Sequence, residues 1–240
     1  METQRLSKIL ASHGIASRRQ CEKLIFAKRV KVNGKVATEP QMKVNPDVDI
    51  ILVDHQPIKK TEDVYLLFHK PKGYICSHNR SLHKKVVYDL FSETPSRLFS
   101  VGRLDKETSG LLLVTSDGAF MQQVIHPSSN ITKEYLVKTN KEILDSHLKI
   151  LQQGCRVEGK WITPVKVIKV RKGTLKIVVK EGRKREVRLL VEQADLEILE
   201  LKRIAIGQLK LGTLPEGSYR PLTETEKHSI FANSPLNKSY

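Results

Sequence analysis

Apolar positions near the start of the chain recur at helical spacing. Leu6, Ile9 and Leu10 form one stripe that Gly14 is placed to end, and Cys21, Leu24 and Ile25 form a second. Ser17, with Gln20 three residues on, has the pattern of a capping box and predicts where the second helix begins. The period then changes. VKVNGKV alternates about Asn33-Gly34, a pair suited to the two-residue type I′ turn of a hairpin. A polar stretch, DHQPIKKTED from Asp54 to Asp63, reads as a linker. Strand-like runs follow at Val64 to His69, Leu111 to Thr115, Glu134 to Lys138, Thr163 to Val170, Leu175 to Val179 and Leu196 to Ile206. Helical patterns lie among them at Ala119 to Ile125, Lys141 to Gln152 and Arg185 to Ala194. Closely spaced strands with few long strand–helix–strand repeats predict an α+β fold with a mixed, mainly antiparallel sheet. The expected division is a small domain with its linker over 1–60, a larger domain over 61–230, and a disordered tail over 231–240.

Composition narrows the class of partner. With 39% hydrophobic and 28% charged residues, the 240-residue chain has the make-up of a soluble protein with a sizeable core. Its charge is unusual: 42 Lys and Arg against 26 Asp and Glu leave a formal net charge of +16. Such a balance favours a polyanion, of which nucleic acid is the commonest. An anionic membrane would call for a basic amphipathic helix with a wide apolar face, and none is evident. Cys21, Cys76 and Cys155 lie far apart, which suggests neither a disulfide framework nor a zinc site. METQRLSKIL lacks the apolar core of a signal peptide, so the expected location is the cytoplasm.

Residues 1–60 alone carry twelve basic and six acidic residues. Arg18 and Arg19 open the second helix, whose N-terminal amides also favour phosphate. Lys23 lies outside its apolar face, and Lys28, Arg29 and Lys31 lie at its far end. A run of charge is commonly only a solvated face, but this clustering makes Arg5, Lys8, Arg18, Arg19, Lys23, Arg29 and Lys31 candidate phosphate contacts.

VGRLDKETSGLLLVTSDG, Val101 to Gly118, holds the chemistry-bearing candidate. Arg103 and Asp105 are two apart, so an extended segment would point both to one side, and a guanidinium beside a carboxylate favours the ionised form. Gly102 and Gly110 allow a tight backbone path close to a ligand, and LLLVT supplies a buried strand as a platform. Spacing alone leaves Asp105 open between a turn residue and a catalyst.

The literal string resembles a signature of the ribosomal RNA pseudouridine synthases, in the branch typified by the RsuA/RluB-like proteins. Further matches occur in order: HKPKGYICS, HPSSNITKEYLV, VVKEGRKREVRLLVE and LKRIAIGQLKLGTLPEGSYRPLT. ASRRQCEKLI and RVKVNGK, within about residues 3–50, resemble the S4 RNA-binding domain, and the whole resemblance spans about residues 3–224. It implies isomerisation of a uridine in ribosomal RNA, with no cofactor and no metal. Asp105 would be the catalytic aspartate, Arg103 would hold the place of the flipped nucleotide, Tyr135 would stack on the uracil, and Arg188 would pair with Asp105. From the residues themselves, Arg183, Lys184 and Arg185 read as phosphate rather than base contacts, and Lys70 and Lys72 as mostly structural, with RNA contact their functional reading. Glu186 stands where many members carry Gln, and Leu189 where they carry a second Arg. That pattern is nearest the branch acting on the large subunit, which points to 23S-type rRNA.

The chemistry suits one carboxylate. The N1–C1′ bond breaks and the same base rejoins through C5, so nothing is oxidised or lost. The carboxylate can act as a nucleophile or remove the C2′ proton. The base must leave its stack, which aromatic stacking and an inserted arginine can offset. Two rivals remain open: a non-catalytic RNA-binding or ribosome-assembly factor using the same basic surfaces, and an RNA N-glycosidase, which normally pairs two carboxylates. By ordinary burial habits Tyr135 is also readable as a core tyrosine, and Arg188 as a solvated one beside the stripe Val187, Leu190, Val191 and Ala194. The expected partner is rRNA or a ribosomal-subunit assembly intermediate, met by a monomer.

Overall fold

A computed structural model describes residues 3–59, 62–78, 85–91 and 97–232. The described residues fall into two compact units: those up to 64 with 97 and 116–118, and the remainder.

In the first unit, β1 (Gln4–Arg5), α1 (Leu6–Ser12), α2 (Arg18–Phe26), β2 (Val30–Val32), β3 (Lys35–Val36), β4 (Lys43–Val44), β5 (Ile51–Val53) and β6 (Gln56–Pro57) follow in order. β1 pairs with β4, and a second sheet has the order β3-β2-β5-β6. The capping box forms at α2: the Gln20 amide donates to Ser17 Oγ, and the Ser17 amide to Gln20 Oε1, each at 3.2 Å. Such a cap contributes about 1 kcal/mol to a short helix. Asn33 and Gly34 both take positive φ and close the β2–β3 hairpin. Leu6, Ile9, Leu10, Cys21 and Ile25 pack against Val30, Val32 and Ile51, so both helical stripes turn onto the sheet.

The second unit comprises β7 (Tyr65–Lys70), β8 (Phe99–Val101), β9 (Ser109–Thr115), α3 (Gly118–Ile125), β10 (Lys133–Thr139), α4 (Asp145–Gln153), β11 (Cys155–Val157), β12 (Lys160–Ile162), β13 (Lys166–Arg171), β14 (Thr174–Val179), α5 (Glu186–Gln193), β15 (Ile198–Ile206), β16 (Leu209–Lys210), β17 (Tyr219–Pro221) and α6 (Glu224–Phe231). The main sheet runs β13-β14-β10-β15-β9-β7-β17, with β16 on β15 and β8 on β9. β9 and β15 pair in parallel and the other neighbours are antiparallel, which makes an α+β unit on a mixed sheet. Every residue of β9 is buried, as expected of a central strand that reads as a continuous apolar run. Leu111 and Leu113 pack with Leu67, Phe120, Val124 and Ile206 in one core.

Several elements depart from the sequence expectation. The expected strand from Thr163 is shorter, and RVEGKWI before it folds as the separate hairpin β11–β12. Its turn, Glu158-Gly159, takes positive φ at both residues, the type I′ requirement met without Asn or Asp. α6 was not expected, although Thr223 and Glu226 form a capping box at its start. Phe231, placed in the tail by sequence, is the last residue of α6, and residues 233–240 lie outside the described residues.

Candidate active site

Residues 102–108 link β8 to β9 as a loop, and a buried lysine shapes it. Lys70, at the end of β7, has no exposed surface. Its ammonium donates to the carbonyls of Pro71 (2.9 Å), Asp105 (3.2 Å), Lys106 (3.4 Å) and Thr108 (2.9 Å). Burial pulls the Lys70 amine below its usual range, while the neighbouring Glu107 and Asp105 charges oppose that shift. Of the two readings of Lys70, the structural one holds and the RNA contact is corrected: the side chain is a strut beneath the loop. Lys72, two residues on, is exposed.

Asp105 is half-buried at the mouth of this loop. Its ion pair is with Arg188 of α5, Nε to Oδ2 at 3.6 Å. The same guanidinium is clamped from the other side, where Nη2 donates to Glu107 O at 3.0 Å and to Thr108 Oγ1 at 3.1 Å. Arg188 Nε is buried with no hydrogen-bond acceptor, so its nearest anionic atom is the Asp105 carboxylate. The proposed pairing of Arg103 with Asp105 is not the one formed. Leu104 turns into the core, and Arg103 stands exposed at the rim.

Gly110 also has a different task from the one expected. A Cβ there would lie 2.2 Å from Arg203 O, because the parallel pairing of β9 and β15 brings the two backbones together. The glycine at φ +111° admits a neighbouring strand rather than a ligand. Arg203 is itself buried, and its Nε donates to Leu111 O at 2.7 Å.

A cleft of about 360 Å³ opens over these groups, large enough for one nucleotide base and its sugar. Arg103, Asp105, Thr108, Tyr135, Val179, Leu201, Glu186 and Arg188 line it, with Arg183, Lys184 and Arg185 on the turn before α5. Tyr135, on β10, is buried with Val179 and Leu201, giving a floor that is apolar with one aromatic ring. Glu186 is buried at the first turn of α5, and its Oε2 accepts from the amides of Gly182 and Arg183, both at 2.8 Å. A buried carboxylate thus shapes the basic turn.

Comparison with known proteins follows the same residues. Residues 64–193 match the family described as RNA pseudouridylate synthase, and residues 4–50 match the S4 domain. The chain belongs to the RNA pseudouridylate synthase family. It is 38% identical to ribosomal large subunit pseudouridine synthase B of Bacillus subtilis, over 93% of each chain. A putative chloroplastic ribosomal large subunit pseudouridine synthase of Arabidopsis thaliana is 43% identical over 95% of this chain, which spans 61% of that relative. A crystal structure of a pseudouridylate synthase superposes with a TM-score of 0.68 at 27% identity, covering 95% of this chain and 99% of the other.

This pseudouridine synthase is an isomerase, and the candidates gathered in its cleft are Arg103, Asp105, Tyr135, Arg183, Lys184, Arg185 and Arg188. The candidates in the first unit form a separate set. Arg5, Lys8, Arg18, Arg19 and Lys23 are exposed, and Lys31 is half-buried. Arg29 is also exposed, but its guanidinium takes both carboxylate oxygens of Asp54, with Nε to Oδ1 at 2.7 Å. Sequence reading missed Thr108, Lys133 and Arg203. Lys133, on β10, donates to Lys180 O at 2.9 Å. Burial, and then the Arg203 charge, bring its amine down to about 8. Thr108 had a local signal, since it closes a turn on the Asp105 carbonyl at 3.1 Å. Arg203 had none, because its neighbours come from strands far apart in the chain. Among the described residues, no helix is long and apolar enough to cross a membrane.

Proposed function

We propose that this protein converts one uridine of large-subunit, 23S-type ribosomal RNA to pseudouridine in the cytoplasm, using Asp105 as its catalytic carboxylate. The observation that carries the reading is the Asp105–Arg188 pair at the mouth of a base-sized cleft floored by Tyr135. Arg188, clamped by Glu107 and Thr108, orients the carboxylate. The target base leaves its stack and enters the cleft, where Tyr135 packs against its face and offsets the lost stacking. Exposed Arg103 takes the place that the base vacates. Asp105 then promotes cleavage of N1–C1′. The base turns within the cleft, C5 bonds to C1′ and loses its proton, and N1 gains one, so product and substrate are isomers.

Apolar walls around the loop restrain the detached base and disfavour its loss to water. Arg183, Lys184 and Arg185 meet phosphates beside the target, where contacts position the strand without reading its sequence. The exposed cations of the first unit, Arg5, Lys8, Arg18, Arg19, Lys23 and Arg29 among them, with Lys31 beside them, bind further phosphates of the rRNA or of an assembly intermediate. A monomer suffices for each of these roles. The relatives whose names specify the large ribosomal subunit support that choice of substrate.

The test is to incubate unmodified 23S-type rRNA with the wild type and with Asp105→Asn. Site-specific pseudouridine from the wild type, and a loss of about 10⁴-fold or more in the variant, is the expected result. Equal modification by both proteins overturns the role of Asp105. Release of free uracil identifies an N-glycosidase instead.

A further inference from the structure

The strands of the hairpin β11–β12 divide their residues between a buried and an exposed face, with Lys160 at the tip as the exception. Cys155, Val157 and Ile162 point inward and are buried. Arg156 and Trp161 stand directly opposite one another on the exposed face, while Lys160, paired with Val157 at the hairpin tip, is exposed although its position belongs to the other face. Trp161 leaves 65% of its surface to solvent, yet its ring is tethered: indole Nε1 donates to Gln153 O, at the end of α4, at 2.9 Å. An exposed aromatic with a fixed plane sacrifices burial and rotamer freedom together, and it gains most from a partner with a flat π face.

Placement and charge identify that partner. β11 packs against α5, the helix that carries Arg188. The hairpin tip reaches Arg183 at the cleft, with Glu158 Oε2 4.0 Å from Arg183 Nη1. Arg156, directly across from the indole, and Lys160, at the hairpin tip next to it in the chain, form no ion pair among the described residues, so both cations remain open to phosphate. A cationic or purely apolar partner would leave those charges unanswered. A nucleic-acid strand supplies both stacked faces and phosphates. We infer that Trp161, with Arg156 and Lys160, is a stacking platform for an unpaired base in the RNA that flanks the target uridine. This inference rests on the RNA-isomerase reading above and adds a contact outside the catalytic cleft.

Trp161 is the chain's only tryptophan, so emission excited beyond the tyrosine absorption band reports this platform alone. Asp105→Asn protein titrated with an unmodified rRNA fragment, one that the wild type modifies, should lose emission in step with binding measured by filter retention. With active protein, Trp161→Ala should raise KM about tenfold while kcat stays within about twofold, and Trp161→Phe should recover most of the loss. Arg156→Ala should flatten the salt dependence of binding. Unchanged emission on saturation with RNA, or an unaltered KM in Trp161→Ala, overturns the platform. So does an emission change that tracks protein concentration without RNA, which marks contact between copies of the chain. Failure of the underlying reading is separately visible: the wild type would then form no pseudouridine in any rRNA fragment.

Discussion

The two units put the same residue types to opposite uses. In residues 1–64, Arg18, Arg19 and Lys23 stand in solvent on one short helix. In the larger unit, Lys70 and Arg203 are buried and spend their hydrogen bonds on backbone carbonyls. Exposed cations act at a distance and are screened by salt. Buried ones act through geometry: each N–H fixes the position of an acceptor, and removing the side chain leaves those acceptors unpaired. On the proposed function, a high positive charge is therefore one property with two uses, docking a polyanion and bracing a loop.

The sharpest way to break this comparison is to exchange a buried cation for an apolar side chain. Lys70→Met should destabilise the protein by about 2–4 kcal/mol, read by urea unfolding, because three carbonyls of the Asp105 loop and that of Pro71 lose their donor. The surviving folded fraction should show a fall in kcat rather than a rise in KM. Lys72→Ala, in the exposed neighbour, should leave stability within about 0.5 kcal/mol. Equal stability of the two variants would refute the division of labour.

A smaller effect is expected from the first unit. Arg18→Ala with Arg19→Ala should leave stability and kcat nearly unchanged, weaken RNA binding, and lower the salt slope of log K by about 1.5. An unaltered slope would mean that these cations are merely solvated.

The smallest change is electrostatic and lies at α6. Arg220 grips Glu226 through two bonds, at 2.8 and 2.6 Å, and with the Thr223 cap holds its carboxyl down at about 2. A depressed carboxyl stabilises the fold only while ionised. The contribution is therefore complete above the usual value of 4.5 and fades as pH falls towards 2. Amide protection in α6 should decline across that window, and Glu226→Gln should remove the pH dependence. A pH-independent α6 in the wild type would contradict the assignment.

Local patterns were legible wherever the determining partners sit within a few residues. The stripe Leu6, Ile9 and Leu10, the Ser17–Gln20 box and the Asn33-Gly34 hairpin each depend on neighbours along the chain, and each formed where the sequence placed it. The pairing of Arg188 with Asp105 came from family resemblance, since no periodicity links residues so far apart. The enclosure that makes Lys70 structural and rules out its RNA contact was illegible for a physical reason. A lysine beside a proline looks like a surface cation, and only the converging carbonyls of residues 105–108 show that it is enclosed. Arg103 and Asp105 were expected to pair because extended segments alternate. The loop instead sends Leu104 to the core and leaves the carboxylate to a helix far along the chain.

The enclosure of Lys70 has a practical consequence. An amine sealed among carbonyls is inert towards acylating or reductively methylating reagents, whereas Lys72, two residues away on the same proteolytic fragment, is open to them. The ratio of the two modification rates is an internal gauge of whether the Asp105 loop is assembled, needing neither RNA nor turnover. Any variant, stored sample or refolded preparation that labels both amines alike has lost the loop even if its secondary structure survives.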